Sequence, residues 1–458
     1  MAQPDIAGMR GLRGLVKNYF EFPTHGARFI TEIVAGVTTY ISLSYIFILN
    51  PVVLGSAGMP AAGVLFATVV VSALATLVMG LWAKLPFAVG PGLEMNGYFA
   101  VVICTIMKVP WQEALGIVCL SGIFNMVFTY FQVRKNVVDL IPDGLKRAMA
   151  TCVGGFVATI GLKLCDIVAY KNNNILDLSQ ISPEKFVSHQ ALILYFSLAV
   201  CIILRKAKFF SPFSIIISIV TGLLLSVIWQ VPHSINNNGD YFSTVGKLNL
   251  GIFKHAVDWK YAGAIIVLFL IDFLGGAGKI IGLSAATNIQ NPGGLVPNYR
   301  RALFVDGGAT IFGSFMGTSS MVAFVESATG IEVGGRTGLT AVVCAVLTAG
   351  TIFAFPVVNW IPIQAVTGVL VYVAYLLLPW NIDPHGAIEH TRFDYAVGIV
   401  MAATAFLTFG IDKAMALGFI LYFGHGLINR EPIKRLWLLA AIGGVLSSTA
   451  FAEYFIWK

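Results

Sequence analysis

The chain has 458 residues, of which 57% are hydrophobic and only 11% charged, with a mean hydropathy of +0.83. A soluble domain carries about a quarter charged residues, so this composition excludes a water-soluble globular protein and identifies an integral, multi-pass membrane protein embedded in a lipid bilayer. The formal net charge of +7 does not indicate a nucleic-acid partner, because the basic residues are dispersed along the chain rather than clustered on one face.

Residues 1–30 are polar and contain Gly and Arg, so no short signal peptide is expected there; they are expected to be a cytosolic N-terminus whose following span acts as the targeting signal. Apolar stretches long enough to cross a bilayer are predicted at 31–49, 61–82, 86–104, 113–131, 146–164, 189–204, 213–231, 260–283 and 301–317. A broken stretch at 318–330 precedes further spans at 337–355, 361–378, 393–410 and 413–428, and an extra hydrophobic segment at 434–457. With the N-terminus inside, the inner loops hold 19 of the 29 Lys and Arg residues and the outer side 9, with Lys279 inside a span. That bias is the one expected of correctly counted spans in a plasma or inner membrane. The six cysteines form no C-x-x-C pair and lie in or beside apolar runs, so they are expected to be small core residues. No cofactor or metal site is expected, since the seven histidines show no ligand spacing.

Two halves emerge: a first seven-span repeat at 31–231, an external polar loop at 232–259, a second repeat at 260–428, and a C-terminal segment at 429–458. Each half is interrupted at a similar distance from its start, at Gly90 and at Gly317. Seven is an odd number, so the second copy enters from the opposite side and the repeat is inverted. Inverted repeats with a discontinuous helix in each copy are a transporter arrangement, with the substrate near the midplane. Broken backbone is tolerated in lipid only where protein or a polar cavity satisfies it, so the two breaks locate the site.

The first break, Val89-Gly90-Pro91-Gly92-Leu93-Glu94-Met95-Asn96, offers close backbone approach at Gly92 and polar groups at Glu94 and Asn96. Its glycines alone are a weak phosphate-loop signal without a soluble strand-turn-helix setting. The second break places Thr318, Ser319 and Ser320 ahead of Glu326. An intramembrane carboxylate is costly and is therefore functional or paired; substrate or proton contact is the expected role of Glu326, and a structural tie to a neighbouring helix is the alternative. Asp272 and Lys279 lie two turns apart on one helix, too far for a direct i, i+4 bridge, so Lys279 is expected to pair with Glu94 or Glu326 or to face an anion. Thr38, Thr39 and Asp306 are weaker candidates for ion coupling or structure, because Thr hydroxyls in membrane helices commonly bond their own i−4 carbonyl. An intramembrane enzyme is not expected, because Ser319 and Ser320 lack a nearby sequence signal for a catalytic dyad.

Ala35-Gly36-Val37-Thr38-Thr39-Tyr40 through Asn50-Pro51, then AGMP at 57–60, GPGLEMNGYFA at 90–100 and FVESATGIEVGGRTGLTAVV at 324–343 together resemble the nucleobase cation symporter-2 (nucleobase–ascorbate transporter) family, and within it the azaguanine-resistance-like purine permeases. The resemblance implies an all-α, fourteen-span 7+7 inverted repeat with short β-strands in spans 3 and 10. It further implies a core domain of spans 1–4 and 8–11 that moves like an elevator against a gate domain of spans 5–7 and 12–14. The implied activity is secondary active import of a purine-type nucleobase or similar heterocycle with a coupling cation, the proton, and a homodimer is one assembly it admits. By position, Glu326 matches the family's base-binding glutamate, and Gly92, Asn96 and Thr318 to Ser320 match neighbouring site segments.

The chain departs from that pattern in span 8, where Gly275 stands in place of the usual acid and Lys279 in place of the usual Thr, and in span 3, where Glu94 replaces a small residue. An ammonium donates where a carboxylate accepts. Two outcomes follow: the same scaffold carrying a small organic or inorganic anion, or Glu94 and Lys279 forming a compensating pair.

Overall fold

In a bilayer the helix is the open-chain structure that satisfies its own backbone, and the computed structural model is mostly helix. It describes residues 12–133, 137, 140–171, 175–207, 213–231, 239–249, 251, 259–286, 297–358, 361–378 and 391–455; of the polar loop expected at 232–259, residues 232–238, 250 and 252–258 lie outside these.

The first predicted span is two helices, α1 (Phe29–Leu43) and α2 (Ile46–Gly55), joined at Ser44 and Tyr45. Pro51 inside α2 donates no hydrogen bond and crowds the carbonyl one turn earlier, which weakens the helix beside that join. Helix α3 (Ala61–Val78) is followed by strand β1 (Val89–Pro91), α4 (Leu93–Gly97) with a π-helical continuation to Ile106, and α5 (Trp111–Tyr130). Next come α6 (Asp143–Leu164), a small hairpin of β2 (Tyr170–Lys171) and β3 (Ile175–Leu176), α7 (His189–Lys206) and α8 (Ser214–Ile228). The second half runs through α9 (Trp259–Ala286), α10 (Tyr299–Met316), strand β4 (Met321–Ala323), α11 (Ser327–Glu332) and α12 (Gly338–Gly350). It closes with α13 (Gln364–Leu376), α14 (Arg392–Thr408), α15 (Ile411–Ile428) and α16 (Ile433–Phe455), the last packed on α15.

The helices pack as two groups. Helices α1 to α5 associate with α9 to α12, and α6 to α8 associate with α13 to α15, which is the core and gate division of a 7+7 fold. The cysteines are free, and all but the half-buried Cys104 are buried.

Strands β1 and β4 pair antiparallel at the centre of the core, with Gly90 opposite Val322 and Val89 and Pro91 opposite Ala323 and Met321. Gly317 is not the counterpart of Gly90: it ends α10 as a left-handed cap with φ 94°, a conformation that favours glycine. The register instead places a pseudo-twofold axis through the Gly90 and Val322 pair. That axis relates Glu94 to Glu326, each four residues past the central position.

Side chains repeat the symmetry. The Thr76 hydroxyl of α3 accepts from the Val89 N–H at 2.9 Å and lies 3.2 Å from the Val89 carbonyl, to which it donates. The Thr310 hydroxyl of α10 holds the Met321 N–H at 3.0 Å and carbonyl at 3.1 Å in the same way. Each strand therefore begins on a residue whose backbone groups are satisfied by a threonine of its own half. A further tie explains the glycine-rich string after α11: buried Glu32 of α1 accepts from the Arg336 and Thr337 N–H groups at 2.9 and 3.2 Å and from the Thr340 hydroxyl at 2.6 Å. Its negative charge sits at the N-terminus of α12, where the helix dipole favours it.

Candidate functional site

The paired strands bring two half-helices, α4 and α11, to face each other across the core, with an acid in the first turn of α4 and at the cap of α11. Glu326 stands at the N-cap position of α11, where its carboxylate accepts from the Tyr45 hydroxyl at 2.5 Å rather than from the helix. Tyr45 reaches it from the join between α1 and α2, where the helix is interrupted. Glu94, second residue of α4, is 3% exposed and forms an ion pair with Lys279 of α9, whose side chain is 17% exposed.

These contacts follow the same pseudo-twofold pattern, at an offset two residues longer than the 232 that separates Glu94 from Glu326. Tyr45 and Lys279 stand 234 residues apart, as do Thr76 and Thr310, and Tyr45 and Lys279 each donate to the strand-following glutamate of the other half. One carboxylate receives a hydroxyl and the other an ammonium.

The expected site residues divide into three groups. Glu94, Lys279 and Glu326 converge with Tyr45 as described. Around the strand crossing, the Gly92 N–H donates to the Ser320 carbonyl at 3.0 Å, and the Ser319 and Ser320 hydroxyls are buried without a hydrogen-bond partner. Such orphaned hydroxyls carry a desolvation cost of about 1–3 kcal/mol each, which an incoming polar ligand offsets. Asn96 and Thr318 belong to a buried network instead: Asn96 donates to Asn50, whose amide donates to Thr68 at 2.6 Å and to Thr318 at 3.0 Å. That network ties α4, α2 and α3 to the end of α10.

The weaker candidates lie elsewhere. Asp272 accepts from Asn125 of α5 at 2.9 Å. Thr38 bonds the Val34 carbonyl of its own helix at 2.9 Å. Thr39 is buried against Gly330 of α11, and Asp306 is buried within α10.

Sequence patterning did not single out Tyr45, Asn50, Thr76 or Thr310. Asn50 carried a signal, as a polar residue beside a mid-span proline. Tyr45 and the two threonines carry one only when the halves are aligned at an offset of 234, two residues longer than the 232 that relates the strands. Lys279 found one of the partners expected for it, so its charge is already met and the premise for an anion site is removed.

The sequence profile described as "Permease family" (Xan_ur_permease) matches residues 30–421. Adenine permease AdeP of Escherichia coli (strain K12) is 30% identical over 421 residues, covering 90% of this chain and 90% of its own. Guanine/hypoxanthine permease PbuO of Bacillus subtilis (strain 168) is 31% identical over 400 residues, covering 85% and 90%. Among solved structures, the transmembrane domain of a cyanobacterium bicarbonate transporter, BicA, superposes with a TM-score of 0.64 at 18% identity, covering 85% of this chain and 96% of that one. At that identity the likeness is one of fold.

Proposed function

Since this chain belongs to the Xan_ur_permease family of nucleobase–ascorbate transporters, and is therefore a membrane permease rather than an enzyme, we propose that it imports a purine-type nucleobase or a similar small heterocycle. The observation that carries this assignment is the Glu326 carboxylate, capped by Tyr45 at the end of the strand crossing. A carboxylate accepts two N–H donors side by side, and nucleobases present such donors along their ring edges. The relatives named for adenine and for guanine and hypoxanthine support a purine.

In this proposal the base lies between the half-helices, with Glu326 as its main acid. Gly92, Ser319 and Ser320 line the strand-crossing side, Asn96 and Thr318 stiffen the neighbouring walls, and Glu94 and Lys279 close the far side. Transport is secondary active and proton coupled. The core, with the strands, moves against the gate by alternating access, which the separate packing of the two helix groups makes mechanically reasonable. The N-terminus is cytoplasmic, in a plasma or inner membrane, and the protein assembles as a homodimer.

Radiolabelled adenine and hypoxanthine uptake into cells lacking their own purine permeases tests the assignment. Saturable uptake that is lost in Glu326→Gln supports it; a surface-delivered protein that takes up neither base overturns it.

A further inference from the structure

Glu94 and Glu326 are equivalent acids, yet their donors differ. Tyr45 is neutral, whereas Lys279 brings a full positive charge to Glu94, an acid only 3% exposed. An ammonium hydrogen-bonded to a buried carboxylate offsets the cost of holding that charge away from water. Lys279 therefore holds Glu94 in place through an ion pair.

The second observation is what Glu94 faces. Across the site, α9 presents Gly275, and among the described residues a Cβ placed there would have one atom within 4 Å, Oε1 of Glu94, at 3.8 Å. Gly275 lies one helical turn before Lys279, on the same face of α9. The space in front of Gly275 is thus shared with the Glu94 carboxylate, which Lys279 draws toward α9. Lys279 and Tyr45 both bond Oε1 of their glutamates, and a carboxylate accepts at two oxygens.

We propose that Glu94 is a second ligand-binding acid and Lys279 its positioning residue, so that the site selects ligands presenting N–H donors on two opposite edges, one to each half of the repeat. This deepens the nucleobase assignment and rests on it. The ligand class is a planar heterocycle with a free N–H at both ends. Blocking either end with a methyl group removes one donor and adds bulk against the acid at that end.

Direct binding to the purified, full-length protein tests this with hypoxanthine, 1-methylhypoxanthine and 9-methylhypoxanthine as probes. The wild-type protein is expected to bind hypoxanthine and to lose roughly tenfold or more in affinity for each methylated form, in the range of one hydrogen bond to a charged group. Glu94→Ala should bind hypoxanthine about tenfold more weakly and no longer distinguish one of the two methylated forms, while Glu326→Gln loses discrimination of the other. Lys279→Met should behave as Glu94→Ala, and Lys279→Arg, which keeps a cation there, should retain discrimination. The double variant Glu94→Ala with Gly275→Asp returns an acid to the shared space from the other helix and should recover both affinity and discrimination. It also answers the concern that Glu94→Ala only fails to fold. Unchanged affinity and discrimination in Glu94→Ala, or a stably folded double variant that recovers neither, overturns the proposal. A wild-type protein that binds none of the three purines defeats the nucleobase assignment itself, a result distinct from equal binding by wild type and Glu94→Ala.

Discussion

Tyr45 and Lys279, 234 residues apart and in opposite halves of the chain, are counterparts, each donating to the glutamate that follows the other half's central strand. The inverted repeat is thereby expressed in chemistry as well as topology. Its two halves have diverged at the donor, a phenol in one and an ammonium in the other, while keeping the acid.

Tyr45→Phe removes the hydroxyl that orients Glu326 and leaves the packing of the ring in place. A hydrogen bond to a charged group is worth about 1.5–3 kcal/mol, so KM for the transported base should rise about tenfold or more while the amount of folded protein at the membrane is unchanged. Uptake kinetics normalised to surface protein measure this.

The threonine clamps make a stability prediction. Thr76→Val or Thr310→Val leaves the backbone groups at the start of a buried strand without their partner, at a cost of about 1–3 kcal/mol each. Both variants should lower the thermal unfolding temperature in detergent, and Thr→Ser at either position, which keeps the hydroxyl, should recover most of the loss.

Core and gate are bridged by an ion pair between Arg205 of α7 and Glu332 of α11, at 2.9 Å. If the core slides against the gate, these residues separate during each cycle. A double cysteine variant, Arg205→Cys with Glu332→Cys, joined by a reducible bifunctional thiol reagent, should stop uptake while retaining base binding, and reduction should restore transport. Full uptake by the cross-linked protein would contradict a moving core.

Acid should release the N-terminal segment before it affects the core. Glu21, outside the spans, has its carboxyl held below the usual range by a hydrogen bond from Lys84 at 2.6 Å, with the Lys84 charge adding to the effect. A depressed folded-state pKa contributes stability that is complete above the unfolded value of about 4.5 and is lost as pH falls through the lower folded value. Limited proteolysis of the helix Leu12–Tyr19 should accelerate below about pH 4.5 in the wild type. In Glu21→Gln cleavage should be faster at neutral pH and less dependent on acid.

The spans and their division into two halves were legible because lipid demands long apolar runs and places cations in loops. The contacts within the candidate site were legible in part: charges such as Glu94, Lys279 and Glu326 stand out where hydrocarbon is expected, and Glu94 is one of the partners the sequence offered Lys279. Geometry was not. Asp272 shares a helix face with Lys279, yet it bonds Asn125 across a helix interface, because a buried carboxylate takes whatever donor a neighbouring helix offers, and sequence spacing says nothing about neighbours. Gly317 matched Gly90 in spacing but serves as a helix cap; the strand register, set by backbone pairing, was needed to find that Glu94 and Glu326 are the equivalent positions. Tyr45 was hidden for a related reason. A tyrosine in an apolar span looks like core packing until the partner of its hydroxyl is known.

The proposed transport function stands on Glu326, oriented by Tyr45, holding the transported base. Equilibrium binding of adenine and hypoxanthine to purified wild-type and Glu326→Gln protein, with unliganded thermal stability as the check on folding, addresses it most directly. Binding that is saturable in the wild type and at least tenfold weaker in an equally stable Glu326→Gln is the result expected here. Equal affinity in the two proteins would contradict it.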